Sequence, residues 1–95
     1  MSEMRYTDIQ YYVLEIVVNG NDEGEYTDMT QLIELLESRH GYKTTRDNIQ
    51  FTLRRLEKEY DLIKRQYEIR RGRRRSVLRP TVEGIKLLVQ NPWDK

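Results

Sequence analysis

The apolar residues of this chain recur in four segments whose spacing predicts α-helices. The first segment follows Thr7, a predicted N-cap, and ends before Gly20. Its apolar residues fall on two roughly opposite stripes, so this helix should be apolar nearly all round. One stripe consists of Ile9, Tyr12, Val13, Ile16 and Val17, and the other consists of Tyr11, Leu14 and Val18.

A helix that is apolar all round needs cover on both sides, and a chain of 95 residues has little material to provide it. Two interpretations are open for the second stripe. The last helix of the same chain could cover it, or a second copy of the chain could do so in a homodimer. We favour the homodimer, with Tyr11, Leu14, Val18 and Trp93 as its interface.

The next two helices are predicted to form a helix-turn-helix unit. One ends at Gly41 as a C-cap, and the other begins at Thr44 or Thr45 as N-cap and runs to about Glu59. Two helices joined by a tight turn that contains a glycine, the second of them basic, are typical of this unit. The apolar positions are Met29, Leu32, Ile33 and Leu36 in the first helix and Ile49, Leu53, Leu56 and Tyr60 in the second.

After the basic helix the pattern changes from helical spacing to alternation, which predicts a β-hairpin. The predicted strands are Leu62 to Ile69 and Ser76 to Arg79, with a loop built on Gly72 between them. Residues 25–27 predict a further, very short strand. A last helix should begin after Pro80, and its apolar side consists of Ile85, Leu88 and Val89.

The net charge of +1 hides a strong segregation of charge along the chain. Up to Gly41 there are two basic and nine acidic residues, and from Tyr42 onward there are fifteen basic and seven acidic ones. This division predicts a basic binding face, suited to a polyanion, that is backed by an acidic one facing away from it.

Five of the basic residues crowd into the predicted hairpin loop. Their mutual repulsion lowers the stability of the free protein, so a purely structural role explains them poorly. Arginines on such a loop suit the narrow minor groove of DNA or the flanking phosphates. The loop consists of Arg70, Arg71, Gly72, Arg73, Arg74 and Arg75.

The polar side of the basic helix carries residue types that read base edges. Arginine can grip guanine in a bidentate way, asparagine or glutamine can read adenine, and a phenylalanine such as Phe51 can touch a thymine methyl group. For Arg55 and Lys58 a solvated face paired with nearby carboxylates is an alternative interpretation. The predicted DNA-binding residues here are Thr44, Thr45, Arg46, Asp47, Asn48, Gln50, Phe51, Arg54, Arg55 and Lys58.

Two segments carry a resemblance to a known family. Residues 53–59 (LRRLEKE), followed by Leu62-Ile63, resemble a recognition helix leading into a wing. Residues 78–88 (LRPTVEGIKLL) resemble the pattern in which the second wing strand ends and a closing helix starts at Thr-x-x-Gly. With the order of the elements, they make the chain similar to winged helix-turn-helix DNA-binding proteins, among them small PadR-like and MarR-like transcriptional regulators. One departure is Tyr60-Asp61, where a single glycine is common in the family.

The expected fold is therefore α+β, a single winged-helix domain over residues 1–95 with a three-helix core, a two- or three-stranded hairpin wing and a C-terminal helix. The resemblance implies sequence-specific binding of double-stranded DNA and regulation of transcription, with residues 45–59 in the major groove and wing residues 70–75 on the minor groove or phosphates. A homodimer would place two basic helices in successive major grooves. The alternatives are a winged-helix module that binds RNA or a protein complex, and a non-specific DNA-organising or partition protein.

Other classes of function find little support in the sequence. The chain has no cysteine, one histidine (His40, at a predicted helix end), no glycine-rich phosphate loop and no recognisable catalytic set, so we predict no enzyme, cofactor or metal. The acidic residues Asp22, Glu23 and Glu25 lack the spacing of a calcium loop. No apolar run reaches the length of a bilayer span and the N-terminus has no signal core, which predicts an intracellular protein of the cytoplasm or nucleoid without a membrane partner.

Overall fold

The chain folds into helices and one β-hairpin in the order that the hydrophobic pattern predicts. A computed structural model describes residues 8–90, so the predicted N-cap Thr7 and the predicted interface residue Trp93 lie outside the described residues. The elements are α1 (Asp8–Asn19), α2 (Met29–His40), α3 (Arg46–Arg54) with a π-helical turn (Arg55–Glu59), β1 (Ile63–Arg70), β2 (Arg73–Pro80) and α4 (Val82–Gln90).

The first three helices and the base of the hairpin share one apolar core. The predicted apolar positions of α2 and α3 lie in this core, with Ile33 and Tyr60 at its half-buried edge. Burial of this surface supplies the main driving force for folding, since a fully buried aliphatic side chain contributes on the order of 1.5–3 kcal/mol. The fully buried apolar side chains of the described residues are Val13, Leu14, Ile16, Val17, Leu32, Leu36, Ile49, Leu53, Leu56, Ile63, Val77 and Leu78.

Local capping fixes the helix-turn-helix unit. Asp28 caps α2 through a capping box, because its carboxylate accepts from the Gln31 backbone N–H at 2.9 Å and its own N–H donates to the Gln31 side chain at 3.2 Å. At the other end Gly41 adopts a left-handed conformation with φ 64°, as predicted. Thr45 then caps α3 by accepting from the Asn48 backbone N–H at 3.3 Å. These caps leave only a short turn between α2 and α3.

The basic helix ends at Glu59, as predicted, but its last turn is not α-helical. The α-helix stops at Arg54, and the next five residues form a wider π-helical turn closed by the Tyr60 N–H, which donates to the Arg55 carbonyl at 3.2 Å. Asp61 follows with φ 54°. Aspartate is one of the few residues besides glycine that tolerate this left-handed conformation. Asp61 therefore adopts the backbone conformation for which glycine is common at this place in winged-helix proteins.

The hairpin is longer, and its turn much shorter, than predicted. Arg70 pairs directly with Arg73, and the turn consists of Arg71 and Gly72 alone, with φ values of 53° and 75°. Two successive positive φ values are the signature of a type I′ turn, whose twist matches that of the flanking strands. The predicted six-residue arginine loop is therefore wrong, and most of the arginines lie on paired strands.

The predicted short strand over residues 25–27 contributes only an edge contact to the hairpin. Asp28 forms an isolated bridge with Val77, and the Leu78 N–H donates to the Thr27 carbonyl at 2.8 Å. This contact joins the start of α2 to the second wing strand. The wing is thus tied to the helix-turn-helix unit along its side as well as at its base.

The second apolar stripe of α1 is covered within the chain, which corrects the predicted dimer interface. Leu14 is 1% exposed and Tyr11 is 8% exposed, while Val18 packs against the core. The covering element is α4, which approaches so closely that a β-carbon at Gly84 would lie 3.3 Å from the Leu14 Cδ1. Leu14 is not available to a second subunit because α4 and the core already occupy its side of the helix.

The Thr-x-x-Gly pattern has a direct physical explanation at the start of α4. The Thr81 hydroxyl donates to the Asp61 carbonyl at 2.6 Å and accepts from the Gly84 N–H at 3.0 Å, which caps the helix. The Thr81 N–H donates to the Leu62 carbonyl at 3.0 Å. A β-carbon at position 84 would lie only 2.2 Å from the Leu62 carbonyl oxygen, so the close approach requires glycine.

We expect Gly84→Ala to destabilise the protein by about 1–3 kcal/mol, because the new methyl group must displace backbone rather than a flexible side chain. At an open site within a helix, a glycine-to-alanine change raises the free energy of unfolding by about 1 kcal/mol. A decrease in the free energy of unfolding would therefore indicate close packing at Gly84. Urea denaturation measures the free energy of unfolding, and Lys86→Ala on the exposed side of α4 serves as the control. A Gly84→Ala protein as stable as the parent would contradict the close packing.

Candidate nucleic-acid interface

The outward side of α3 forms a shallow hollow with an exposed aromatic side chain in it. Asp47, Gln50, Phe51 and Arg54 line this hollow, whose volume is about 370 Å³. Phe51 is 67% exposed although it belongs to an otherwise polar side of an amphipathic helix. Aromatic side chains are enriched at interaction surfaces, so the ring is a candidate contact for a partner.

Several of the predicted reading residues have intramolecular contacts. Arg46 donates to the Thr30 hydroxyl at 3.0 Å and so links α3 to α2. Arg55 pairs with Glu59 at 3.2 Å, in agreement with the solvated-face interpretation. Thr45 is occupied as the N-cap of α3, and Thr44 makes a long contact with the Thr45 carbonyl at 3.4 Å.

The remaining predicted residues of the basic helix project into solvent. The side chains of Asp47, Asn48, Arg54 and Lys58 are all exposed. Within residues 8–90, no ion pair or side-chain hydrogen bond holds Asp47, Arg54 or Lys58. These groups therefore keep their full hydrogen-bonding capacity for a ligand.

Arg65, which the sequence analysis did not single out, joins the wing to the basic helix. Its guanidinium donates to the Gln50 side-chain oxygen at 3.3 Å and its Nε lies 3.3 Å from the Glu57 carboxylate, an ion pair without the alignment of a hydrogen bond. The alternation of the strand could have indicated this contact. Side chains alternate across a strand, so the charged Arg65 lies on the same face as the buried Ile63 and needs a partner there. The contact fixes one face of the hairpin beside α3.

Arg70 differs from the other predicted wing arginines because contacts within the chain engage its side chain. Its guanidinium donates to the Tyr26 carbonyl at 2.7 Å and pairs with Glu68 at 3.2 Å, and its side chain is only 19% exposed. Both contacts would have to break before Arg70 could reach a ligand. Arg70 therefore holds the wing against the segment that precedes α2.

The other four wing arginines are exposed. Arg71 lies in the turn and Arg73 starts β2, while Arg75 faces Glu68 across the ladder. The guanidinium carbon of Arg74 lies 4.1 Å from the centroid of the Tyr67 ring, a cation–π contact. The tip thus presents a high density of positive charge without the crowding of a six-residue loop.

Part of the acidic half lies beside the wing instead of facing away from it, contrary to the predicted arrangement. Glu23, Glu25 and Asp28 line one side of a cleft of about 550 Å³, and Arg71 and Arg75 line another part of the same cleft. This placement partly neutralises the free wing, which explains how the chain tolerates so many adjacent arginines.

The acidic loop that lines this cleft is held in place by its own contacts. The Asn21 side chain accepts from the backbone N–H groups of Glu23 and Glu25, each at 2.9 Å. Arg39 at the end of α2 pairs with Asp22 at 2.8 Å. The carboxylates beside the wing are therefore presented by an ordered turn.

The single histidine links two helices. His40 Nε2 lies 2.6 Å from a Glu15 carboxylate oxygen, and the imidazole stacks on the Tyr12 ring with centroids 4.1 Å apart. Over residues 8–90, no cluster of three or more potential ligands is arranged to hold a metal ion. In the same part of the chain, no helix is both long and apolar enough to cross a membrane.

The helix-turn-helix unit, the hairpin beside its second helix and the closing helix together define the winged helix-turn-helix fold. A PadR family transcription regulator from Clostridium difficile R20291 has the same architecture, with a TM-score of 0.72, 21% sequence identity, and a match covering 88% of this chain and 82% of that one. A transcriptional regulator from Clostridium thermocellum matches with a TM-score of 0.66 and 20% identity over 86% of this chain and 76% of that chain.

A third similar structure was solved with DNA. Bacillus subtilis PadR in complex with operator DNA matches with a TM-score of 0.66 and 13% identity, over 88% of this chain and 47% of that one, so the chain spans about half of its length. No protein-family model matches the sequence, and no curated protein matches it either. The three structures confirm the predicted α+β winged-helix fold, and two of them are described as transcription regulators.

Proposed function

We propose that this protein binds double-stranded DNA in a sequence-specific way and regulates transcription. The observation that carries the proposal is one continuous surface made of the exposed side of α3 and the adjoining face of the wing. Arg65 joins the two through its contacts with Gln50 and Glu57. The surface combines free hydrogen-bonding groups, an exposed aromatic ring and exposed arginines, and these are the groups with which proteins contact bases and phosphates.

In this proposal α3 enters the major groove, which is about 12 Å wide and admits a helix. Arg54 grips guanine O6 and N7, Asn48 reads adenine, and Phe51 contacts a thymine methyl group. Gln50 also contributes to the base contacts, and its hydrogen bond with Arg65 holds its side chain in position. The exposed wing arginines contact the adjacent minor groove or phosphates.

The comparisons support the proposal at the level of the fold. Bacillus subtilis PadR shares the architecture and was solved with operator DNA. A DNA-binding regulator acts where the DNA is, so we place this protein inside the cell, at the nucleoid or in the cytoplasm. Catalysis has no part in this role.

A winged helix that binds single-stranded RNA is the second candidate. Two exposed aromatic side chains, Phe51 and Tyr67, favour it, because unstacked bases pack on aromatic rings. Competition between duplex DNA and single-stranded RNA for the same protein distinguishes the two candidates. We expect duplex DNA to displace the RNA.

We expect the two halves of the surface to differ in what they contribute. Arg54→Ala in α3 should change the preferred sequence, at a cost of about 1–3 kcal/mol for the base pair it reads. Arg71→Ala with Arg73→Ala at the wing tip should weaken binding to all sequences alike, because phosphate contacts carry no sequence information. Selection of bound sequences from random duplex DNA, followed by titration of the selected sites, measures both effects.

Lys86→Ala removes an exposed cation from α4 and is the charge-matched control, with no expected change in preference. If the wing-tip variant altered the preferred sequence and the Arg54 variant did not, the assignment of the two roles would be reversed.

The homodimer remains part of the proposal, with a different interface from the predicted one. Val82, Ile85 and Val89 are exposed on α4 and are spaced three and four residues apart, so they form one apolar stripe towards solvent. We propose that this stripe pairs with its copy in a second subunit. Two recognition helices would then reach half-sites about 34 Å apart, one helical turn of DNA.

Ile85→Lys with Val89→Lys should shift the protein to the monomer, because a buried dimer interface does not accept two unpaired charges. Sedimentation at micromolar concentration measures the mass, and Glu83→Lys on another side of α4 is the control. A parent protein that sediments only as the 11.6 kDa species would contradict the dimer.

A further inference from the structure

We propose that Tyr67 is a positioning residue for Arg74, the one wing arginine that enters the minor groove. This pair gives the protein a preference for A·T-rich sequence beside each half-site. The inference rests on the proposed binding of duplex DNA and names which wing residue reads the groove and what holds it.

The geometry of the pair comes from the hairpin register. Tyr67 pairs with Ser76 and Ile69 pairs with Arg74, so Tyr67 and Arg74 are diagonal neighbours on one face of the wing. The Arg74 guanidinium carbon lies 4.1 Å from the Tyr67 ring centroid. The ring itself is 63% exposed, so it is available as a platform at the surface and is not part of the core.

Of the five wing arginines, Arg74 is the one placed towards α3. Side chains alternate across a strand, and the face that carries Tyr67 and Arg74 also carries Arg65, which contacts α3. Arg73 and Arg75 lie on the opposite face, and Arg71 lies in the turn. Arg70 is engaged with the Tyr26 carbonyl.

A stacked arginine is well suited to a narrow groove. The contact with the ring fixes the plane of the guanidinium but uses none of its N–H donors, which remain free for acceptors on the floor of the groove. Ordering the side chain before binding also reduces the entropy lost when the complex forms. The minor groove of A·T-rich DNA is narrow and strongly negative, and it attracts arginine in particular.

Ile69 lies next to this pair on the wing and also lines the cleft beside the acidic loop. It is 73% exposed, directly opposite Arg74 in the ladder, and two residues before the turn. Proteins that enter the minor groove often place an apolar side chain beside the cation. The position of Ile69 beside Arg74 therefore suits a surface that DNA covers.

The test uses the full chain and a graded series of variants at position 67. Cation–π attraction is strongest with tryptophan and is absent with leucine, so Tyr67→Trp and Tyr67→Phe should keep the preference and Tyr67→Leu should lose it. The probes are duplexes with one selected half-site and a flank of A·T, G·C or inosine·cytosine pairs. Inosine lacks the guanine 2-amino group, so its pairs resemble A·T in the minor groove.

For the parent we expect equal affinity for the A·T and inosine·cytosine flanks and weaker binding to the G·C flank. Tyr67→Leu should lower affinity for the first two by about two- to tenfold, the range expected for losing one pre-ordered side chain, and leave the G·C flank nearly unchanged. Arg74→Ala should abolish the preference. The melting temperature of the Tyr67 variants should change little because the ring is largely exposed.

Three results would overturn the inference. One is an A·T preference that survives Tyr67→Leu, and another is a loss of affinity that is equal for all flanks and follows a lowered melting temperature. The third is a parent that binds duplex DNA tightly with no flank preference, which defeats this inference and leaves the proposed function intact. Failure of the parent to bind duplex DNA at all would instead defeat the proposed function.

Discussion

The position of the wing depends on one close backbone contact between the start of α4 and the end of the basic helix. Gly84 packs against the Leu62 carbonyl, and Thr81 is hydrogen-bonded to the Asp61 and Leu62 carbonyls. Strand β1 starts at Ile63 and β2 ends at Pro80, so both ends of the hairpin are held at the same place. The same contact brings α4 over α1 and completes the core. The contacts of Arg65 with α3 and of Arg70 with the Tyr26 carbonyl then fix the hairpin along its sides.

The charged residues are divided between holding this geometry and remaining free for a polyanion. Arg65 is hydrogen-bonded to α3, and Arg70 is hydrogen-bonded to the segment before α2. These contacts fix the position of the wing. Arg71 and Arg73 are exposed, and Arg74 rests on an aromatic ring that leaves its donors free. The nearby acidic loop lowers the repulsion within the free wing, and a DNA phosphate backbone would compete with its carboxylates. In the proposed function, the stability of the free protein and the affinity for DNA therefore depend on different arginines of the hairpin.

Short-range signals in the sequence predicted most of the fold. Gly41 and Thr45 mark the turn of the helix-turn-helix unit because caps are local interactions, and the apolar spacing identified the core faces of α2 and α3. The second stripe of α1 was open to two interpretations. Periodicity indicates that a helix face is covered, but it does not show which element or subunit covers that face. Packing of α4 through Gly84 decided it in favour of the same chain. The arginine run resembled a loop by composition, yet Arg71 and Gly72 suffice for the turn. Arg70 contacts a carbonyl 44 residues away, a separation that no local pattern reveals.

The central claim is that the surface of α3 and the wing binds the phosphate backbone and bases of duplex DNA. Its most direct test is the dependence of duplex binding on salt, measured by titration from about 50 to about 200 mM. Each phosphate contact should lower the logarithm of the binding constant by about 0.9 per tenfold increase in salt, so several arginine contacts give a steep slope. We predict such a slope, reduced by about 2 when Arg71 and Arg73 are both replaced by alanine. Duplex binding that is insensitive to salt, or a slope that these two replacements leave unchanged, would contradict the account.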